Sequence, residues 1–222
     1  MKYENRSNAG EKLADAIKEQ FPELISDSII CAIPRGGVPV AYIVAEKLTI
    51  PFNLVITKKL SHPNNPEVAI GAIAPDGTYD LNERVQFYGV TDDVLNEIKN
   101  KALEKVKKRI NKYTQEGLPN VQGKNIFVID DGIATGFTAL VAGKYLKNQG
   151  TKKVILAIPV APKKGISKVK EVFDDVVCPT ISESYSFAVG AYYEDFHQNT
   201  DEELYDYIEK AKKNNLFYTN EY

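Results

Sequence analysis

Two adjacent carboxylates and the turn that follows them are the part of this sequence best suited to chemistry. The segment VIDDGIATGFT occupies residues 128–138. Asp130 and Asp131 end an apolar run, and the small residues after them predict a turn that leads into a helix. Backbone N–H groups at a helix N-terminus bind phosphate, and the hydroxyls of Thr135 and Thr138 add donors. The segment therefore predicts a sugar-phosphate site in which the two carboxylates accept hydrogen bonds from sugar hydroxyls.

This loop differs from the two common nucleotide-binding loops. It contains neither the Gly-Lys-Ser/Thr of a Walker loop nor the Gly-x-Gly-x-x-Gly of a dinucleotide site. The alternative is a structural turn in which the carboxylates only cap a helix, but neighbouring like charges repel each other and disfavour that use. Gly136 allows the backbone to approach a phosphate closely. The predicted phosphate-binding residues are Ala134, Thr135, Gly136, Phe137 and Thr138.

Short apolar strands alternate with helices along the chain, and this order places the carboxylates at a strand end. The predicted strands are residues 28–33, 52–57, 125–130, 152–161 and 174–179. The predicted helices are one that ends before Pro22, then residues 38–48, 91–114, 137–149 and 200–213. The alternation predicts an α/β fold with a central parallel sheet flanked by helices. Ligands bind beyond the carboxyl ends of the strands in such sheets.

The chain is predicted to form a single domain over residues 1–222. Its core is expected over about residues 25–180, with a small hood formed by the N-terminal segment and about residues 181–222. A turn at Pro75-Asp76-Gly77 predicts an antiparallel hairpin near residues 68–82. Residues 58–66 are polar, contain two prolines and predict a mobile loop.

Composition narrows the classes of function. A net charge of -2 and a pI near 5.8 give no basic excess for general nucleic-acid binding. No apolar run approaches the length of a membrane span, and the first residues lack the apolar stretch of a signal peptide. Cys31 and Cys178 lie in separate apolar runs and predict buried thiols in a reducing compartment. We expect a cytoplasmic location.

The motifs resemble those of the type I phosphoribosyltransferases, which use 5-phosphoribosyl-1-pyrophosphate (PRPP). The Asp130–Thr138 loop matches the PRPP-binding loop of this family, and Pro34-Arg35-Gly36-Gly37 matches its pyrophosphate loop. Further matches to uncharacterised members of the family run almost the whole length of the chain. They include Arg6 in an Arg-x-x-Ala-Gly start, where it belongs to the hood, to an anion site or to the surface. The resemblance implies a Rossmann-like fold with a flexible hairpin or loop and a small hood.

The resemblance also implies roles for residues at the strand ends. Arg35 would hold the pyrophosphate as a planar donor fork, beside the exposed N–H groups of Gly36 and Gly37. Lys58 and Lys59 begin the loop that closes over PRPP in the family, and Glu67 on that loop is a candidate acid or base. The predicted catalytic residues are Asp130, Asp131, Arg35 and Lys59. The predicted pyrophosphate-binding residues are Arg35, Gly36, Gly37 and Lys58.

The acceptor is expected to be a nitrogen of a nucleobase, with a purine favoured. The segment from Ser186 to Phe196 is similar to the Phe-x-Val-Gly segment of purine phosphoribosyltransferases, in which an aromatic ring stacks on the base. The predicted base-binding residues are Phe187, Val189 and Asp195. Mg²⁺ is the expected cofactor, and it would be held by PRPP itself, with Asp130 and Asp131 as candidate ligands rather than a protein-built metal site.

One departure from the family bears on the acceptor. Hypoxanthine-guanine enzymes carry an acidic residue where this chain has Ala134, and they place a lysine in the strand that here reads VILAIPVAP. Adenine enzymes share the Ala-Thr-Gly sequence, but their other landmarks are missing from this chain. The resemblance therefore implies a pentosyltransferase of nucleotide salvage without naming its general base.

A second hypothesis remains open, in which the same fold senses PRPP or nucleotides as a regulator without catalysis. A third is other chemistry on a phosphorylated sugar. His62 and His197 lack metal-ligand spacing and are interpreted as loop residues. The aromatic tail at residues 216–222 is expected either to pack on a partner subunit in a homodimer or to be disordered.

Overall fold

The structure is a computed structural model that describes residues 2–83, 85–114, 117–184 and 186–220, without the side chains of Glu67, Gln86 and Phe87. The strands are β1 (Ser28–Ala32), β2 (Phe52–Leu54), β3 (Lys58–His62), β4 (Asn65–Ile73), β5 (Tyr79–Leu81), β6 (Asn125–Ile129), β7 (Lys153–Ala157), β8 (Val160–Pro162), β9 (Asp175–Val177) and β10 (Thr180–Ser182). The helices are α1 (Arg6–Gln20), α2 (Gly37–Leu48), α3 (Asp92–Tyr113), α4 (Phe137–Asn148), α5 (Lys163–Val169) and α6 (Asp201–Lys213).

Five parallel strands form the central sheet, in the order β2-β1-β6-β7-β9. Strands β1 and β6 are buried at every position because helices cover both faces of the sheet. Alternate residues enter two apolar cores: Ile30 and Phe127 face one, and Cys31 and Val128 face the other. The prediction of an α/β fold with a central parallel sheet is confirmed.

The predicted helices are confirmed, with ends that differ by one or two residues. The longest, α3, begins where Thr91 caps it, its side chain accepting a hydrogen bond from the N–H of Val94. Helix α6 begins with a capping box in which Thr200 and Glu203 each accept the other's backbone N–H. The short helix α5 was not predicted from the sequence.

A separate antiparallel sheet, in the order β3-β4-β5, contains the predicted hairpin. The prediction of a loop over residues 58–66 is wrong, because residues 58–62 form β3 and pair with β4. Leu60 is fully buried in the core and holds this polar segment in place. Shifts in the register around Ser61 accommodate the turn toward Pro63.

The prediction of one strand over residues 152–161 is also wrong. Pro159 has no N–H group to donate to a sheet ladder, and the strand divides there. Strand β7 stays in the central sheet, whereas β8 pairs with β10 in a small two-stranded parallel sheet. The predicted strand over residues 52–57 is shorter than expected, since β2 ends at Leu54.

The N-terminal segment pairs with residues near the other end of the chain. The N–H of Tyr3 donates to the carbonyl of Tyr192 at 2.8 Å, and the N–H of Glu194 donates to the carbonyl of Tyr3 at 2.8 Å. The tail covers the edge of β2 on its own chain, where the Phe52 N–H donates to the Leu216 carbonyl at 2.8 Å. Its last two residues, 221 and 222, lie outside the described residues.

Cys31 is buried and Cys178 is partly buried, and both are free thiols. Among the helices in the described ranges, none has the length and apolar character needed to cross a membrane.

Candidate functional site

Two loops meet at the carboxyl edge of the central sheet. Strands β1 and β6 are neighbours, with Ala32 paired to Ile129, so the turns that follow them lie side by side. The first turn contains Arg35, whose peptide bond from Pro34 is cis. The second begins with Asp130. The sequence places these two motifs 95 positions apart, and the parallel pairing brings them into contact.

The two glycines of the first turn make this contact close. A Cβ at Gly36 would lie 2.2 Å from Oδ2 of Asp131, and one at Gly37 would lie 2.5 Å from the carbonyl oxygen of Ile129. Both distances are below the contact limit for carbon and oxygen. Glycine is therefore needed at both positions because the turn lies directly against the acidic loop.

The predicted phosphate loop ends at the N-terminus of α4. Gly136 has a φ of 75° and begins the helix without a side-chain cap, so the first backbone N–H groups are open to a ligand. Ala134 and Thr135 are exposed and Thr138 is partly buried. The ring of Phe137 is buried beneath the ammonium of Lys168, so only the backbone of Phe137 is available to a phosphate.

A cleft of about 560 Å³ opens beside this loop. Its lining includes Ala134, Thr135, Lys163, Lys164, Ser184 and Phe187. The volume lies in the range of small-molecule sites. Lys164 adds positive charge to the cleft, whereas Lys163 is paired at 3.4 Å with Glu183, another lining residue.

Asp130 and Asp131 differ in their surroundings. Asp130 is partly accessible, and its Oδ1 accepts the N–H of Asp131 at 2.9 Å. Burial and the neighbouring charge of Asp131 raise the pKa of Asp130 well above its usual range. Burial also raises the pKa of Asp131, although the adjacent Arg6 opposes that shift. The two carboxylates lie so close together that a negative charge on Asp131 disfavours ionisation of Asp130.

The partner of Asp131 is Arg6, which sequence reasoning could not assign. Nε of Arg6 donates to Oδ2 of Asp131 at 2.9 Å, and Nη2 lies 2.8 Å from the same oxygen. The side chains are only 9% and 12% exposed. The sequence left the hood, an anion site and the surface open for Arg6. The structure excludes the surface, because the side chain is buried beside the acidic loop. No spacing rule links positions 6 and 131, so no sequence signal reveals the pair.

Arg35 is engaged by a carboxylate of the chain itself. Its Nη1 donates to Oδ1 of Asp201 at 3.1 Å, and the hydroxyl of Tyr113 donates to the same oxygen at 2.6 Å. Lys112 pairs with Oδ2 of Asp201. These donors lower the pKa of Asp201 to about 2. Arg35, Tyr113 and Lys112 each have a donor that suits a phosphate. All three bind the Asp201 carboxylate.

Lys58 lies in a strongly basic region beneath α3. Burial and the charges of Arg109 and Lys105 lower its pKa. Lys59, the next residue of β3, is exposed, because side chains alternate along a strand. The side chain of Glu67 lies outside what the structure describes.

The three predicted base-binding residues do not all lie at the same cleft. The ring of Phe187 lines the cleft and stacks on Tyr192, with centroids 5.3 Å apart. Val189 packs against Gly132, where a Cβ would lie 2.8 Å from its Cγ1. Asp195 instead borders a separate hollow and accepts a hydrogen bond from the N–H of His197 at 3.2 Å.

His197 likewise lies outside the cleft, with its ring between Asp195 and Glu203. In the described part of the chain, no three His, Cys, Asp or Glu side chains are grouped to hold a metal ion.

The chain has relatives among known proteins. A protein of Mycobacterium tuberculosis named "Putative phosphoribosyl transferase" is 32% identical over 214 residues, which is 95% of this chain and 47% of that protein. The chain therefore spans about half the length of the curated relatives that it matches.

Solved structures also resemble this chain. A crystal structure of a Thermus thermophilus protein superposes with a TM-score of 0.77 at 30% identity, covering 95% of this chain and 99% of that chain. A purine phosphoribosyltransferase of Pyrococcus horikoshii aligns with a TM-score of 0.46 at 18% identity, covering 88% of this chain and 93% of that chain.

The family model described as phosphoribosyl transferase domain matches residues 3–195. This range includes both loops at the sheet edge, the cleft and the N-terminal arginine. The chain belongs to the phosphoribosyltransferase family.

Proposed function

We propose that this protein transfers the 5-phosphoribosyl group of PRPP to a nitrogen acceptor and releases pyrophosphate. The observation that carries the proposal is the uncapped N-terminus of α4, which ends a loop that begins with Asp130 and Asp131 and lines the cleft with Ala134 and Thr135. The helix end suits the 5-phosphate, and a carboxylate next to it suits the ribose hydroxyls. This combination supports a ribose 5-phosphate ligand more specifically than either feature alone.

In this proposal the diphosphate of PRPP lies toward the first turn. Gly36 and Gly37 lie against the acidic loop at close range, and the Arg35 guanidinium would turn from Asp201 to the leaving group. The N–H of Gly37 donates within the turn to the carbonyl of Ile33 at 3.0 Å, so Gly36 would supply the backbone donor. Lys58 and Lys59, on β3, are the further positive charges proposed for the diphosphate. Asp130 and Asp131 hold the sugar while the bond from C1 to the diphosphate oxygen breaks. A nitrogen lone pair then forms the new bond to C1, and the acceptor loses its proton.

Mg²⁺ fits this arrangement as an ion carried mainly by the substrate. Mg²⁺ is usually bound by one or two carboxylates together with substrate phosphates. Asp130 presents a carboxylate at the sheet edge, whereas the one on Asp131 is already paired with Arg6. When bound, the ion would neutralise charge that develops on the leaving diphosphate.

The acceptor is proposed to be a nucleobase, with a purine favoured. Phe187 and Tyr192 form a stacked pair beside the cleft, and such a face accepts a flat heterocycle. Position 134 is alanine, so the loop provides no carboxylate to remove the acceptor's proton. Asp195 lies away from the cleft and would need to act through another group. Nucleotide salvage in the cytoplasm is the corresponding cellular role.

The test is pyrophosphate release from PRPP and Mg²⁺ with a panel of purines, pyrimidines and small amines. We expect release with one class of acceptor, and a fall of about a hundredfold or more in Asp130→Asn, because the sugar loses a charged partner in the transition state. Asp93→Asn removes an exposed carboxylate on α3 and serves as the matched control.

Two results would contradict the enzymatic proposal. Tight PRPP binding without release for every acceptor would support the sensor of the same fold, for which the pairing of Arg35 with Asp201 is the favouring observation. No PRPP binding at all would overturn the assignment of the Asp130–Thr138 loop.

A further inference from the structure

Arg6 is fixed on several sides around its bond to Asp131. Nε and Nη2 both contact Oδ2 of Asp131, at 2.9 and 2.8 Å. Nη1 donates to the carbonyl of His197 at 2.9 Å, and the guanidinium lies 4.1 Å from the ring centroid of Phe196. The arginine thus has little freedom to leave the carboxylate when a ligand arrives.

Asp131 is confined from its other sides as well. Gly36 lies so close that a Cβ there would meet Oδ2 at 2.2 Å. The hydroxyl of Tyr193 donates to the backbone carbonyl of Asp131 at 2.6 Å. A sugar hydroxyl has no room at Oδ2 unless the arginine or the glycine turn moves.

Asp130 has different surroundings. It is partly accessible, and within the described ranges no lysine or arginine forms an ion pair with it. Among the described residues, the contacts found for its carboxylate are with the N–H of Asp131, which donates to Oδ1, and with the Asp131 side chain. Of the two acidic residues, Asp130 is the partly accessible one and Asp131 is the buried one.

We propose that Arg6 is a positioning residue that withholds Asp131 from the substrate, so that Asp130 alone of the pair accepts the ribose hydroxyls. The inference rests on the proposed function. The sequence predicts that Asp130 and Asp131 both accept sugar hydroxyls, whereas here only Asp130 does so. Arg6 acts by cancelling the charge of Asp131, which otherwise repels an ionised Asp130 and a phosphorylated ligand. The N-terminal segment therefore belongs to the site although it does not touch the sugar.

The test measures binding of ribose 5-phosphate by calorimetry in EDTA, so that no metal contributes. Asp130→Asn is expected to weaken binding by about tenfold or more, in keeping with the loss of hydrogen bonds to a charged group. Asp131→Asn is expected to weaken it much less. Glu194→Gln, which neutralises an exposed carboxylate in the hood, is the matched control.

The role of Arg6 is tested by a double-mutant cycle. Arg6→Met leaves the buried charge of Asp131 unpaired and is expected to weaken binding by about tenfold. Arg6→Lys restores a point charge and is expected to recover part of the loss. Arg6→Met combined with Asp131→Asn is expected to bind more tightly than Arg6→Met alone, because the unpaired charge is gone.

If Arg6 acts only through its contacts with Phe196 and His197, the single and double variants should bind equally weakly, since both have lost those contacts. A double variant as weak as Arg6→Met would therefore overturn the inference, as would an Asp131→Asn variant as weak as Asp130→Asn. If Arg6→Met does not fold, the comparison of the two Asn variants still decides. Absence of any binding by the wild-type protein would instead overturn the proposed function.

Discussion

At the scale of single residues, the site depends on how closely Gly36 lies to Asp131. The missing Cβ leaves space for a carboxylate oxygen, and in the proposed function the same turn offers its backbone to the diphosphate. Steric fit and anion binding thus place the same demand on one position.

Gly36→Ala should remove both features. The added methyl would meet Oδ2 of Asp131 at 2.2 Å, so the turn must shift, at a cost of about 1–3 kcal/mol in the free energy of unfolding. PRPP binding should fall with it. Gly165→Ala on α5 is the milder comparison, because the nearest contact of its Cβ would be at 3.2 Å, with the ring of Pro162. Urea denaturation and PRPP calorimetry measure the two effects, and equal stability of the two variants would contradict this account.

The acidic pair and the glycine turn could be predicted from sequence because each is a contiguous motif that directly follows an apolar strand. The ion pairs could not. Arg6 and Asp131 lie 125 positions apart, and Arg35 and Asp201 lie 166 apart, so only the folded chain brings them together. The sequence also gave no sign that the Phe137 ring would be buried, since an aromatic residue at a helix start suits either environment.

At the scale of elements, the N-terminus of α6 supplies the carboxylate that holds Arg35. Asp201 is the first residue of α6 and is bound by groups of α3 and of the turn after β1. Its pKa of about 2 means that the carboxylate stays ionised throughout the working pH range. An incoming diphosphate must therefore compete with a fixed negative charge.

Asp201→Asn should make that competition weaker. We expect the affinity for inorganic pyrophosphate to rise about threefold or more, because Arg35 and Lys112 lose an anionic partner. Calorimetry with pyrophosphate measures the effect. Glu202→Gln removes an equal charge from the same helix turn, where Glu202 is exposed, and serves as control. An equal gain in both variants would show a general charge effect rather than release of Arg35.

Periodicity and capping residues were sufficient to predict the long helices and the central strands. The two errors have separate physical causes. Residues 58–62 are mostly polar, and their pairing depends on the distant β4 and on one buried leucine, Leu60. The division at Pro159 depends on β10, which offers a second partner for the strand once the central ladder stops.

At the scale of the whole molecule, the N-terminal segment packs against residues 192–197. Tyr3 is fully buried, and its hydroxyl lies 2.8 Å from the Pro159 carbonyl, to which it donates, and 2.9 Å from Oγ1 of Thr180. Its ring packs on Tyr193, with centroids 5.4 Å apart. The Tyr3 side chain thus contacts the residue before β8, the first residue of β10 and the segment that carries Phe187.

Tyr3→Ala should destabilise the protein by about 3–5 kcal/mol, because a large buried ring is lost. Tyr3→Phe should cost about 1–2 kcal/mol, since the Pro159 carbonyl loses its donor while the ring remains. Tyr79→Ala, at a position 44% exposed, is the control and should stay within about 1 kcal/mol of the wild type. Urea denaturation measures all three, and a Tyr3→Ala variant as stable as the control would contradict the role given to this residue.

The pairing of the N-terminal segment with residues 192–197 sets the order of events during synthesis. Arg6 bonds to His197, which is 191 positions later in the chain, so its site cannot close until almost the whole described chain has left the ribosome. Contacts between such distant residues carry a large loop-closure entropy and form late in folding. We therefore expect the central sheet to assemble first from the nascent chain, and the ability to bind a sugar phosphate to arise only in the last step.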